Sequence, residues 1–211
     1  MDLDPDRRLA LAYIPAAVRP AVEALWRLDV AFAAILATGT QPIISQMRLA
    51  WWREALERLD TAPPPAEPVL QALAAHVLPR VSGAELASME EGWLTLLADE
   101  ALGEDDLARY AERRGGLLFG YSARLLGDPG FPVVRAGEAW ALADLARHSR
   151  RVGEIKTPSA GLKTKWPRPL RPLGMLAMLA RRDLERLGRE PEKQGGPARI
   201  FRMIRHRING Y

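Results

Sequence analysis

Cysteine is absent from all 211 residues, which excludes a disulfide framework and a thiolate metal site, and fits a reducing compartment. No apolar run reaches the roughly 18 to 20 residues needed to span a bilayer, and the opening MDLDPDRRLA lacks the basic-then-apolar order of a secretory signal. The expectation is a soluble protein, in the cytoplasm or peripheral at the inner face of the membrane. Histidine is scarce, and His76, His148 and His206 share no helical ligand spacing, so no metal site is expected from them. Internal repeats and low-complexity tracts are also missing. The net charge is +4, but acids and bases are interspersed through most of the chain, which argues against one dominant field and against a nucleic-acid partner. Only the end is one-sided, basic from Arg147 onward and closing on ARIFRMIRHRING.

What is present is helix signal. Segments rich in Ala, Leu, Arg and Glu, with apolar spacings of three and four, alternate with Pro and Gly punctuation and little strand competition. The pattern predicts an all-α chain with a single domain over 1–211. Helices are expected over about 16–36, 42–59, 69–77, from Ser82 onward, 105–126, 132–152, 172–187 and 198–208. Ser82 and Glu85 fit a capping box. TAPPPAEP, residues 61–68, reads as a stiff connector, and 153–171 as one long loop rich in Gly, Pro and Lys. Gly115 and Gly116 interrupt an otherwise helical stretch, which implies close backbone packing or a kink. The acids at Asp2, Asp4 and Asp6 suggest a disordered or capping start.

In RLAWWREALERLD, residues 48–60, a helical wheel puts Trp51, Trp52, Leu49, Ala55, Leu56 and Leu59 in one broad arc, predicting that both indoles are buried. Arg48 falls inside the same arc. A charge there needs an acid such as Asp29 or Asp144 on a neighbouring helix, or a bound anion whose oxygens suit a guanidinium.

The phrases ALWRLDVAFAAI, RLAWWREAL, YAERRGGLLFGYSARLLG and GEAWALADLARHSRRV, in that order over roughly residues 7–190, resemble the squalene/phytoene synthase family. The resemblance implies a helical bundle of the isoprenoid synthase type, here shortened, around a central cavity. It also implies prenyl diphosphates joined head to head, with magnesium held by two aspartate-rich motifs on facing helices. Magnesium wants hard oxygen ligands, and carboxylates at i, i+4 spacing supply them. This chain departs from that pattern. The first acidic motif aligns with Ala33, Ala34 and Ala37, with Asp29 one turn earlier. The second aligns with Asp144, Arg147, His148, Arg151 and Val152, where Arg147 alone matches.

These departures, with MRLAWWREAL, the proline-rich connector and EPVLQAL, resemble a branch of the superfamily without the acidic motifs. That branch includes a mitochondrial assembly factor for respiratory complex I. The implied role is a prenyl-lipid-binding or assembly-type pseudoenzyme without a cofactor, whose partner is a prenyl lipid or diphosphate, or a protein client. Candidate ligand-binding residues are Arg48, Arg147, Arg151, Asp144, His148 and Asp29, with Trp51, Trp52 and Trp140 as cavity wall. One alternative is an active, magnesium-dependent transferase with a rearranged site using Asp29, Asp144 and Glu154. Another is a structural partner-binding domain whose cavity has collapsed. The basic amphipathic helix at 198–209 suits packing on the domain or contact with an anionic membrane.

Overall fold

The computed structural model describes residues 2–39, 41–97, 102–128, 130–149 and 164–211. Helix starts follow local chemistry. Asp4 caps α1 (Pro5–Ala12) by accepting from the Arg7 amide, Pro20 sits in the opening turn of α2 (Arg19–Thr38), and Pro42 opens α3 (Pro42–Arg58). After the connector, Glu67 caps α4 (Pro68–His76). Ser82 and Glu85 form the expected capping box at α5 (Gly83–Ala87), reinforced by Asp60, which accepts from the amides of Gly83 at 2.7 Å and Ala84 at 3.0 Å. Then come α6 (Glu90–Thr95), α7 (Glu104–Tyr110), a π-helical turn (Ala111–Gly116), α8 (Leu117–Leu125), α9 (Val134–His148), a 3₁₀ turn (Arg168–Leu170), α10 (Arg171–Leu184) and α11 (Pro197–Asn209). Among the described residues there is no strand.

The helix stops after α5 and restarts at Glu90, and α1 occupies a stretch expected to be disordered or capping. Of the expected long loop, residues 153–163 lie outside the described residues, while 168–170 form the 3₁₀ turn and α10 begins at Arg171.

The buried side chains form a hydrophobic core to which nearly every helix contributes, with Trp26, Phe32, Leu49, Leu56, Leu70, Leu73 and Phe119 fully enclosed. The two glycines in mid-helix have a specific use. The π turn and α9 approach so closely that a Cβ on Gly115 would lie 2.0 Å from the carbonyl oxygen of Gly137, and one on Gly137 would lie 2.1 Å from that of Gly115. Close backbone packing is thus the reason Gly115 is glycine. The chain's end is tied down by ions. Asp6 bonds the Gly195 amide and the Arg199 guanidinium, each at 2.9 Å, and Asp183 holds Arg199 from α10 at 2.7 Å.

Two sequence expectations for α3 are corrected. Trp52 is buried and meets Phe32 edge-on, but Trp51 is 44% exposed and Arg48 is exposed. The reason lies in the neighbours. α5 meets the C-terminal half of α3, where a Cβ on Gly83 would lie 2.1 Å from the Leu56 carbonyl oxygen, while in the N-terminal half the buried Ser45 and Leu49 face the core, Ser45 beside the Ile35 carbonyl of α2. One flank of that half therefore stays open, leaving Ile43, Ile44, Met47 and Trp51 exposed. Arg48 on that open flank needs no buried acid.

Gly115→Ala and Gly137→Ala each gain helix propensity of about 1 kcal/mol, but each forces a methyl into a carbonyl oxygen at 2.0–2.1 Å. Overpacking costs typically about 1–3 kcal/mol, and here the rigid backbone cannot yield as a side chain would. Both variants are expected to unfold at lower urea concentration than the parent, whereas Gly120→Ala, with nothing within 4 Å of its Cβ position, unfolds at equal or higher concentration.

Candidate functional site

Asp29 sits on α2 between Leu28 and Val30 with no exposed surface. A bare carboxylate there would be prohibitively costly, and two guanidiniums answer it. Arg7 of α1 donates from Nη1 to Oδ2 at 2.9 Å, and Arg114 of the π turn donates from Nε to Oδ1 at 2.8 Å and from Nη2 to Oδ2 at 3.0 Å. The remaining nitrogen of Arg114, Nη1, reaches Asp144 Oδ2 on α9 at 2.8 Å and the Tyr110 hydroxyl. Arg7 also bonds Asp4. The result is a chain, Asp4–Arg7–Asp29–Arg114–Asp144, running across the helix packing, with three carboxylates for two guanidiniums.

Aromatic rings close around it. The Arg114 guanidinium lies 4.3 Å from the ring centre of Trp93 and 4.8 Å from that of Trp140, and Arg7 lies 5.4 Å from Trp140. Burial by itself would raise the Asp144 carboxyl, but Arg114 and then Arg7 overcome it, so its pKa falls below the ordinary value. Burial opposes the charge on Arg114, but Asp29, Tyr110 and Asp144 together outweigh it and hold the guanidinium charged. Tyr110 is pushed well above the usual phenol range, chiefly by burial, and stays neutral.

Beside this chain lies a cavity of about 520 Å³. Its wall is apolar, with Val30, Ala33, Leu36 and Ala37 from α2, Leu96, Leu102 and Trp93 from the segment around α6 and α7, and Leu145 from α9. Asp4, Arg7, Tyr110, Arg114 and Asp144 form its polar side, and Asp2, His148, Ser149 and Gln194 complete the described lining. The volume is that of a small-molecule site, within the usual range of about 300–1,000 Å³. Among the described residues this space is open and not filled by side chains.

The predicted site residues divide. Asp29, Asp144 and His148 do come together at the cavity or directly behind it, with His148 Nδ1 at 3.5 Å from Asp144 Oδ1. Arg147, expected on the same face, turns the other way and is held by Asp183 Oδ2 at 2.9 Å and the Glu192 carbonyl at 2.8 Å. Arg48 lies exposed on α3 and lines none of the described cavity, and Arg151, Val152 and Glu154 lie outside the described residues. Nor do Trp51, Trp52 or Trp140 line this cavity. The indole that does is Trp93, whose Nε1 has no hydrogen-bond partner. Trp140 instead supports the guanidiniums and borders a separate small cleft among Asp6, Arg147, Asp183 and Arg199.

Arg7 and Arg114 escaped the sequence reading. For Arg114 a signal existed, because Tyr110, Arg114, Leu118 and Tyr121 recur at helical spacing, so an arginine interrupts a buried face.

Among the described residues the oxygens beside the cavity do not fit a magnesium ion. Both oxygens of Asp29 are bonded to guanidinium, one oxygen of Asp144 is bonded likewise, and Ala33 and Ala37 offer none. Among the described residues no group of three His, Cys, Asp or Glu side chains could hold a metal ion.

A protein-family model, that of squalene/phytoene synthase, matches residues 2–155. No curated protein and no solved structure matches.

Removing one partner from this chain strands a buried charge. Arg114→Met is expected to cost about 3–5 kcal/mol in chemical denaturation. Adding Asp29→Asn to it should recover a large part of that loss, because the stranded carboxylate is then gone. A double variant no more stable than the single one would contradict the arrangement.

Proposed function

The chain belongs to the squalene/phytoene synthase family, and from that premise we propose that it binds a prenyl lipid in the α2–α9 cavity without magnesium-dependent prenyl transfer. The observation that carries this reading is the Arg114 bridge. One guanidinium joins Asp29 to Asp144, the two helix-borne acids nearest the cavity, while Ala33 and Ala37 face that cavity where the family resemblance calls for acids. Metal-dependent diphosphate departure needs carboxylates free to bind cations, and here both oxygens of Asp29 and one of Asp144 are spent on arginine. The apolar wall remains suited to a hydrocarbon chain.

Arg48 and Arg147 give no support to an arginine clamp for diphosphate, since one faces solvent away from the cavity and the other is held by Asp183. The test is pyrophosphate release from farnesyl or geranylgeranyl diphosphate with magnesium. The expected result is no release above the protein-free rate. Release that depends on magnesium and is lost in Asp144→Asn would overturn the reading in favour of a rearranged transferase.

The lipid-facing surface in this proposal is α11. No helix among the described residues is long and apolar enough to cross a membrane. On α11, Arg199 and Arg202 point inward to acids, whereas Phe201, Ile204 and Ile208 are exposed beside the exposed Arg205. An apolar stripe flanked by a cation suits an anionic membrane interface. Flotation with vesicles containing anionic lipid should recover the protein, and Phe201→Ser with Ile208→Ser should lose it. Flotation unchanged in that double variant would remove α11 from the account.

A second reading, a protein-client role of the assembly type, is favoured by one observation, the exposed stripe Ile43, Ile44, Met47 and Trp51 on α3. Met47→Ser with Trp51→Ser would then leave flotation intact and abolish co-purification with a membrane protein complex. Co-purification untouched by that variant would remove this role.

A further inference from the structure

The charge balance at the cavity defines what kind of polar end it takes. Resting on the prenyl-lipid reading above, we propose that the ligand is a long apolar chain ending in a hydrogen-bond-donating group, an alcohol or an amine, received by Asp144, and not a diphosphate.

Three observations converge. First, the two guanidiniums at the cavity are already committed. Arg7 bonds Asp4 and Asp29, and Arg114 uses all three of its nitrogens on Asp29, Asp144 and Tyr110. A phosphate drawing Arg114 to itself would have to break buried ion pairs and weaken the pairing of Asp29 in the core.

Second, the described groups facing the cavity are acidic on balance. Asp4 and Asp144 line it directly, Asp29 lies behind, and only Arg7 and Arg114 oppose these three carboxylates. Asp2 adds a fourth acid at the exposed edge, and the remaining titratable groups among the described lining residues are Tyr110, which burial keeps neutral, and the exposed His148 beside Asp144. A group carrying two or three negative charges is repelled there, whereas a donor or a cation is attracted.

Third, Asp144 is the acid positioned to receive it. Unlike Asp29 it keeps part of its surface, 18%, and among the described residues its Oδ1 is met by His148 at the long distance of 3.5 Å. Arg114 holds its pKa below the ordinary range, so it is ionised and an acceptor at neutral pH. The hydrocarbon then lies along Val30, Ala33, Leu36, Leu96, Leu102 and Leu145.

The experiment titrates the full chain with geranylgeranylamine, geranylgeraniol and geranylgeranyl diphosphate. Each is kept below its aggregation concentration, with and without magnesium, following tryptophan fluorescence. The amine and the alcohol are expected to bind, with the diphosphate at least about tenfold weaker. Asp144→Asn, which keeps the shape and removes the charge, should narrow that gap by about tenfold. Ala33→Phe, placed in the apolar wall and checked for native helicity and melting, should abolish binding of all three.

Diphosphate binding as tightly as the amine, with or without metal, overturns the inference and leaves the prenyl-lipid reading standing. No binding by any of the three overturns both. An unchanged preference in Asp144→Asn, or undiminished binding in a folded Ala33→Phe, overturns the assignment of the head group or of the chain.

Discussion

Asp29 carries a charge into the middle of the helix packing, and five elements are arranged to answer it. α2 supplies the carboxylate, α1 and the π turn supply Arg7 and Arg114, α9 supplies Asp144 as a second acceptor for Arg114, and Trp93 of α6 covers the guanidinium. Such a chain contributes little net stability compared with a well-packed apolar equivalent, but losing one member is costly. Its structural effect is to fix how α1, α2, the π turn and α9 sit relative to one another. The Gly115–Gly137 contact serves the same end by bringing the π turn against α9, one residue away from Arg114.

The same interaction shapes the chemistry. A carboxylate chelated by two arginines is a poor ligand for a hard cation, and an arginine chelated by two aspartates is a poor ligand for phosphate. What is left open is the apolar wall and the exposed edge of Asp144, which is why the reading moves from transfer toward binding and from diphosphate toward a donor head group.

Much of this was legible in the sequence, for reasons that differ by residue. The helices were readable because apolar spacing and proline placement act locally, and the Ser82–Glu85 box was readable because capping spans only three residues. The family resemblance was carried by phrases within the matched region 2–155. A helical wheel assumes that the same face is covered along the whole helix, whereas α5 meets α3 near Leu56 and one flank of its N-terminal part, with Trp51 and Arg48, stays exposed. The Asp29 partners were missed because α1 is short and its acids resemble a solvated terminus. Nothing local shows that Asp6 will reach Arg199, 193 positions away. Trp93 replaced the expected tryptophans at the cavity because which indole meets it depends on how α6 packs, a tertiary matter.

The central claim is that the acids beside the cavity are spent on arginine and hold no divalent cation. The direct measurement is electron paramagnetic resonance of Mn²⁺ titrated into the protein and, in parallel, into buffer alone, since Mn²⁺ takes the same hard oxygen ligands as magnesium. The account predicts that the free-ion signal grows in proportion to added Mn²⁺ at protein concentrations near 100 times a micromolar dissociation constant. A stoichiometric loss of that signal, restored by Asp144→Asn, would contradict it.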